Sequence, residues 1–171
     1  MTILIRAHEA ENLPASGVTL LADVPESGGH LTSHRSIFQP GKDGAPPHLH
    51  HEAAELFFVL SGELRVLTGE QIVELHQGDF LLVPPNTPHA FEAAGRAPAE
   101  VLFVLTQARP RFGYYRLLES AYRGETDWAE VAATSDLYDN HYVESRAWQN
   151  RQHGCLEQDP QVVRVMDNRI P

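Results

Sequence analysis

Sulfur, basic charge and long apolar runs are all scarce in this chain. One cysteine, Cys155, occurs in 171 residues; a lone thiol excludes an internal disulfide framework and fits a reducing compartment. Cys155 lies in a polar stretch and reads as an incidental thiol. Lys and Arg total 13 against 23 Asp and Glu, a formal charge of −10 with neutral histidine. Such a surface repels a phosphate backbone, and no cluster of Lys or Arg interrupts it, so nucleic-acid binding is set aside. No run approaches the roughly 18 apolar residues that a membrane helix needs. The opening "MTILIRAHEA" carries Arg6 and His8 and no long apolar core, so a signal peptide is not expected. These absences lead us to expect a soluble, cytoplasmic protein without a membrane partner. Its length suits one compact domain with a genuine core and room for a small appendage.

Two textures divide the chain. From about residue 18 to 107, short apolar or alternating runs ("HLTSHRSIFQ", "LFFVLSG", "ELRVLTG", "QIVEL", "DFLLVP", "HAFEA", "EVLFVLTQ") alternate with turn formers such as "PGKDGAPP", "TGE", "QGD" and "PPNTP". Short strands at such regular spacing indicate an antiparallel sandwich or barrel. "ELRVLTGEQIVEL" reads as a hairpin turning at Gly69-Glu70, with Leu64, Val66, Ile72 and Leu75 facing inward. After residue 108 the texture turns helical. "RFGYYRLLESAYRGE" can form a short helix, and Asp127 with Glu130 three positions on opens another as a capping box. Trp128, Val131, Ala132, Ser135 and Tyr138 or Asp139 follow helical spacing, with Ser135 a possible break between two helices, and this stripe is expected to pack on the barrel. Residues 1–108 are thus expected to form the barrel, 109–150 a helical segment packed on it, and 151–171 a polar tail.

"HLHHEAAELFFVLSGEL", residues 48–64, crowds imidazoles and carboxylates at the mouth of a buried hairpin. Residues two apart on a strand share a face, so His48 and His50 point one way and His51 the other. Two imidazoles on one face can share a metal ion. Glu55 starts the next strand, where its carboxylate can swing back to the same point, and His89 in "HAFEA" could add a fourth ligand. His51 and Glu52 then read as turn residues in solvent, or as partners that orient a ligating histidine. Of the adjacent His34 and Arg35, one could enter the pocket. Phe57, Val59 and Phe91 share strands with the ligands, and either pocket lining or plain barrel core accounts for them.

These residues resemble the two conserved motifs of the cupin superfamily. His48, His50, Glu55 and Gly62 fall in the register of the first motif, and Gly78, Pro84 and His89 in that of the second. The 15 residues between Gly62 and Gly78 resemble the spacing of single-domain microbial cupins. Lys42 stands where the first motif begins with Gly, while Asn86 and Ala93 replace a Gly and an Asn of the second; none of these is a ligand position. The match covers residues 31–107, and its texture is most similar to the quercetinase-like small cupins. "DLYDNHYVES" looks like the helix that ends many of them.

The resemblance implies an all-β double-stranded β-helix, a jelly-roll barrel, with C-terminal helices. It implies one divalent transition metal ion (Fe, Ni, Mn, Co, Cu or Zn) on His48, His50, Glu55 and His89, with Glu55 also the catalytic base. His34, Phe57, Val59 and Phe91 would line the substrate pocket. The activity implied is that of a dioxygenase using O2 on a small enol, enolone or phenolic (flavonol-like) substrate. A metal-dependent isomerase or lyase on a small carbonyl compound, and a non-catalytic cupin that holds a small ligand or metal, stay open beside it. A homodimer exchanging the N-terminal "TILIRA" is also implied.

Overall fold

The computed structural model describes residues 2–107 and 109–151. The chain runs through β1 (Asn12–Leu13), β2 (Val18–Ala22), α1 (Val24–Ser27), β3 (Leu31–Phe38), β4 (Ala45–Leu49), β5 (Ala54–Ser61), β6 (Glu63–Thr68), β7 (Gln71–His76), β8 (Phe80–Val83), β9 (His89–Ala93) and β10 (Ala99–Thr106). It continues with α2 (Phe112–Tyr122), α3 (Trp128–Ala133), α4 (Ser135–Tyr138), β11 (His141–Tyr142) and α5 (Arg146–Gln149). The strands form two antiparallel sheets, ordered β1-β2-β3-β10-β5-β8 and β11-β4-β9-β6-β7. This is the double-stranded β-helix, with helices following the barrel. No described helix is long and apolar enough to cross a membrane.

Alternation along the strands fills the space between the sheets. Ala99, Val101, Phe103 and Leu105 of β10 are buried while the residues between them are partly exposed. Phe57 and Val59 of β5 lie beside them on one sheet, facing Leu64, Val66, Phe91 and Ala93 of the other, in one apolar cluster. Gly62 makes the sharp β5–β6 corner at φ +75°, and a Cβ there would sit 2.3 Å from the Pro98 carbonyl oxygen, so only glycine fits. A second cluster joins Tyr114, Tyr115 and Ala121 of α2 and Val131 of α3 to Leu13, Val18 and Leu20, fixing α2 over the β1–β2 end.

Four local expectations change. The β6–β7 hairpin turns at Gly69-Glu70, but Val66 pairs with Val73 and Leu67 with Ile72. Ile72 therefore faces outward with Leu67, under Trp148 of α5, because side chains alternate strictly across the pleat. Of the expected stripe on α3, Val131 is buried, whereas Trp128 is half exposed and rests edge-on against Tyr122. The capping-box position holds in half: Asp127 accepts from the Ala129 N–H, and α3 ends at Ala133 with Thr134 as its cap, one residue before the expected break. "DLYDNHYVES" is more than a helix: after α4 it turns at Asp139 (φ 51°) and adds β11 to the barrel strand β4. Cys155 and most of the expected polar tail lie outside the described residues.

Candidate metal centre

Strand pairing brings the four candidate ligands together. His48 on β4 lies opposite His89 on β9, His50 follows two residues on, and Glu55 opens β5 in the facing sheet. All four are buried, and one donor atom from each lies within 4.8 Å of the others. Glu55 Oε2 is 2.8 Å from His89 Nε2 and 3.3 Å from His50 Nε2. The His48 and His89 rings approach to 4.2 Å between centroids.

Each imidazole has its outer nitrogen committed to the backbone. His48 Nδ1 donates to the Pro46 carbonyl at 2.8 Å, His50 Nδ1 to Asp139 at 2.5 Å, and His89 Nδ1 to Thr87 at 2.9 Å. A carbonyl only accepts, so each Nδ1 carries a hydrogen and each Nε2 is directed inward. Burial pushes the His48 and His50 pKa values down, further lowered at His48 by His89, so both rings are neutral. Burial opposes ionisation of Glu55, yet His50 and His89 outweigh it and hold its carboxyl well below the usual range. Three inward Nε2 atoms and a carboxylate thus converge on one point. Such a set suits a cation, because buried charge is tolerated when it is paired or metal-bound. The residues fit a metal ion. Their mixed N and O donors admit Fe, Ni, Mn, Co, Cu or Zn, and four protein ligands leave room for substrate.

The centre is braced by residues far away in sequence. The Asp139 carboxylate accepts from the backbone N–H groups of His51 (2.8 Å), Glu52 (2.9 Å) and Ala53 (3.3 Å). It thereby fixes the turn between His50 and Glu55 while its own carbonyl orients His50. Burial raises the Asp139 pKa, but these N–H donors prevail and keep it lowered. On the other side His51 Nδ1 meets Asn86 Oδ1 at 2.7 Å, tying together the two loops that deliver ligands. Asn86, where the second motif usually has glycine, sits at φ +62°, a conformation asparagine tolerates. Glu52 stays exposed and pairs with Arg109.

The other predicted residues separate. His34 is 5% exposed, flat against Phe103 at 4.8 Å and tilted against Tyr115 at 4.3 Å. Its neighbour Arg35 faces outward and pairs with Glu100 at 3.1 Å. Phe57 meets the His89 ring edge-on at 6.2 Å, and Phe91 lies 6.2 Å from His48, so both wall the centre. Val59 is fully buried in the barrel core. Sequence reasoning missed Asp139, Arg111 and Asn140, all buried near the ligands. Nothing local marks them; they sit in a stretch whose periodicity signals only helices.

Comparison with known proteins agrees with this geometry. Residues 34–105 match the cupin domain family. That segment is similar to a cupin domain, and the candidate metal-ligand motifs lie within the match. Mannose-1-phosphate guanylyltransferase RfbM of Salmonella typhimurium is 41% identical over 54 residues, 32% of this chain and 11% of that protein. Quercetin 2,3-dioxygenase of Bacillus subtilis is 38% identical over 52 residues, 30% of this chain and 15% of that protein. The matched stretch is thus a small part of each relative, a shared domain only. Among solved structures, KdgF from Halomonas sp. superposes with a TM-score of 0.53 at 20% identity, covering 64% of this chain and 96% of that one, which shows the fold.

Proposed function

We propose that this protein is a metal-dependent dioxygenase acting on a small molecule with an enol, enolone or phenolic oxygen. The observation that carries this reading is the convergence of three imidazoles and one carboxylate on one point inside an apolar barrel. The similarity to quercetin 2,3-dioxygenase over 52 residues favours oxygen chemistry among the activities this centre could support. A divalent transition ion on His48, His50, Glu55 and His89 would supply Lewis acidity toward the substrate oxygen and redox chemistry with O2.

The chain's own groups do the rest. Glu55, held ionised, is the general base that takes the substrate's hydroxyl proton. Its Oε2 is turned to His50 and His89, which leaves Oε1 to receive that proton. Phe57 and Phe91 pack beside the ligands and exclude water, with Val59 behind them and His34 at the far wall. The active unit in this reading is a homodimer. Support for it comes from Phe58, Phe80 and Leu82, apolar yet exposed on the outer face around the edge strand β8.

The test is anaerobic incubation of protein loaded with Fe, Ni, Mn or Cu with a panel of flavonols and diketones, followed by admission of O2. Uptake of O2 stoichiometric with substrate loss is expected. No uptake across the panel would sink the reading. Turnover before O2 arrives would mark an isomerase or lyase, and saturable binding without turnover a binding module.

A further inference from the structure

The metal centre leaves unexplained a buried cation beside it. Arg111, which opens α2, is 3% exposed, and its guanidinium forms no ion pair among the described residues. It donates to the Tyr138 carbonyl at 2.6 Å and Asn140 Oδ1 at 3.1 Å, and its other neighbours, the Tyr115 hydroxyl and the Tyr114 ring 5.5 Å away, carry no negative charge. Its Nε has no partner, nor does Asn140 Nδ2 or His34 Nδ1. Each of these residues is more than nine-tenths buried. Folded proteins leave few buried polar atoms unsatisfied, and several in one neighbourhood point to a missing ligand.

That neighbourhood adjoins the metal centre. Arg111 and His50 are fastened to one tripeptide: Tyr138 and Asn140 hold the guanidinium, and Asp139 between them holds the His50 ring. The charge of Glu55 reaches both Arg111 and His34. Two further carboxylates lie close but are engaged elsewhere. Asp23 accepts the backbone N–H groups of Val24, Arg111 and Phe112, and Asp139 those of residues 51–53. Glu55, Asp23 and Asp139 together can offset a divalent ion and Arg111, so what stays unmet is an acceptor for the open Arg111 Nε and Asn140 Nδ2 donors. An oxyanion supplies that acceptor.

We propose that Arg111 and Asn140 form the carboxylate-binding half of the substrate site, with His34 opposite, and that the substrate is a small organic acid. Its carboxylate accepts from Arg111 Nε and Asn140 Nδ2, while its enol or keto oxygen turns toward His48, His50, Glu55 and His89. A planar guanidinium edge suits a carboxylate, and the surrounding Phe103 and Tyr115 rings offer no further cation for a phosphate. This names the substrate class of the dioxygenase reading and rests on it.

The experiment measures binding without turnover. Zinc-loaded protein is titrated calorimetrically with pyruvate and benzoylformate, each against its neutral amide. The acids are expected to bind at least tenfold more tightly than the amides. Arg111→Met and Asn140→Asp should each weaken acid binding tenfold or more, with amide affinity and zinc content unchanged. Asn140→Asp is nearly isosteric and sets a carboxylate on Arg111, so it folds even where Arg111→Met does not, and it neutralises the site without emptying it. Failure of either acid to bind, equal affinity for acid and amide, or an acid preference that survives both substitutions would overturn the proposal. Acid binding of the expected pattern with no O2 uptake would overturn the dioxygenase reading and leave the acid site standing.

Discussion

Glu55 is the one residue at the centre that can both hold a cation and move a proton. It supplies the only negative charge among the four candidate ligands, and it is kept ionised inside the barrel. Glu55→Gln keeps the volume and removes the charge and the base. Turnover is expected to fall by on the order of 10²–10⁴, read by O2 uptake, with the far-UV circular dichroism unchanged. The histidines act together. With His50 and His89 both replaced by alanine, two ligands remain and metal content should fall from near one ion per chain to none, measured by plasma emission spectrometry on untagged protein. Retention of metal by that double variant would overturn the ligand assignment.

At the level of elements, the ligand strands depend on segments that come after the barrel. Asp139, in the turn between α4 and β11, orients His50 and clamps residues 51–53. Asp139→Asn keeps the left-handed turn and weakens the clamp, so metal affinity should drop about tenfold, the lower end for groups that orient a ligand, measured by competition with a chelator. On the opposite side α5 seals the outer face behind β9. Trp148 is 6% exposed over Leu67 and Ala90, and the Arg151 guanidinium lies 4.5 Å from its ring. Trp148→Ala should cost about 3 kcal/mol in urea unfolding. Glu119 performs the same service for α2 by accepting the Ala15 and Ser16 N–H groups. Burial raises its pKa, but those donors outweigh it and leave it lowered. The unfolded chain therefore binds the proton first, near about pH 4.3, so this stabilisation is full above that pH and is lost as the pH falls through the depressed folded value. Glu119→Gln should flatten the acid limb of the Tm–pH curve.

For the whole molecule, the outer face of the β1-containing sheet presents Phe58 opposite Phe80 and Leu56 opposite Leu82. Phe80 is 59% and Leu82 51% exposed, at an unpaired sheet edge. Natural edges are normally charged or covered. For the homodimer proposed above, Phe80→Ser with Leu82→Glu should shift the protein from dimer to monomer in sedimentation velocity. An unchanged dimer would move the interface to the exposed N-terminal Leu4 and Ile5.

Much of this was legible from residue order alone. Turn formers at regular intervals defined the strands, and the spacing of His48, His50, Glu55 and His89 marked the ligands, because strand period and motif register are local properties. Face assignments followed wherever parity was respected; Ile72 went wrong because one residue of register reverses the face. Tertiary structure alone decided what surrounds the ligands. Asp139 reaches His50 and His51 across 89 and 88 residues of chain, and Arg111 meets Asn140 across 29, through bonds that no periodicity encodes. A charge whose partners are set by folding, and not by neighbours in sequence, leaves no signature in the sequence. The metal-binding half of the site is thus local information, and the half that would recognise a substrate is a product of the fold.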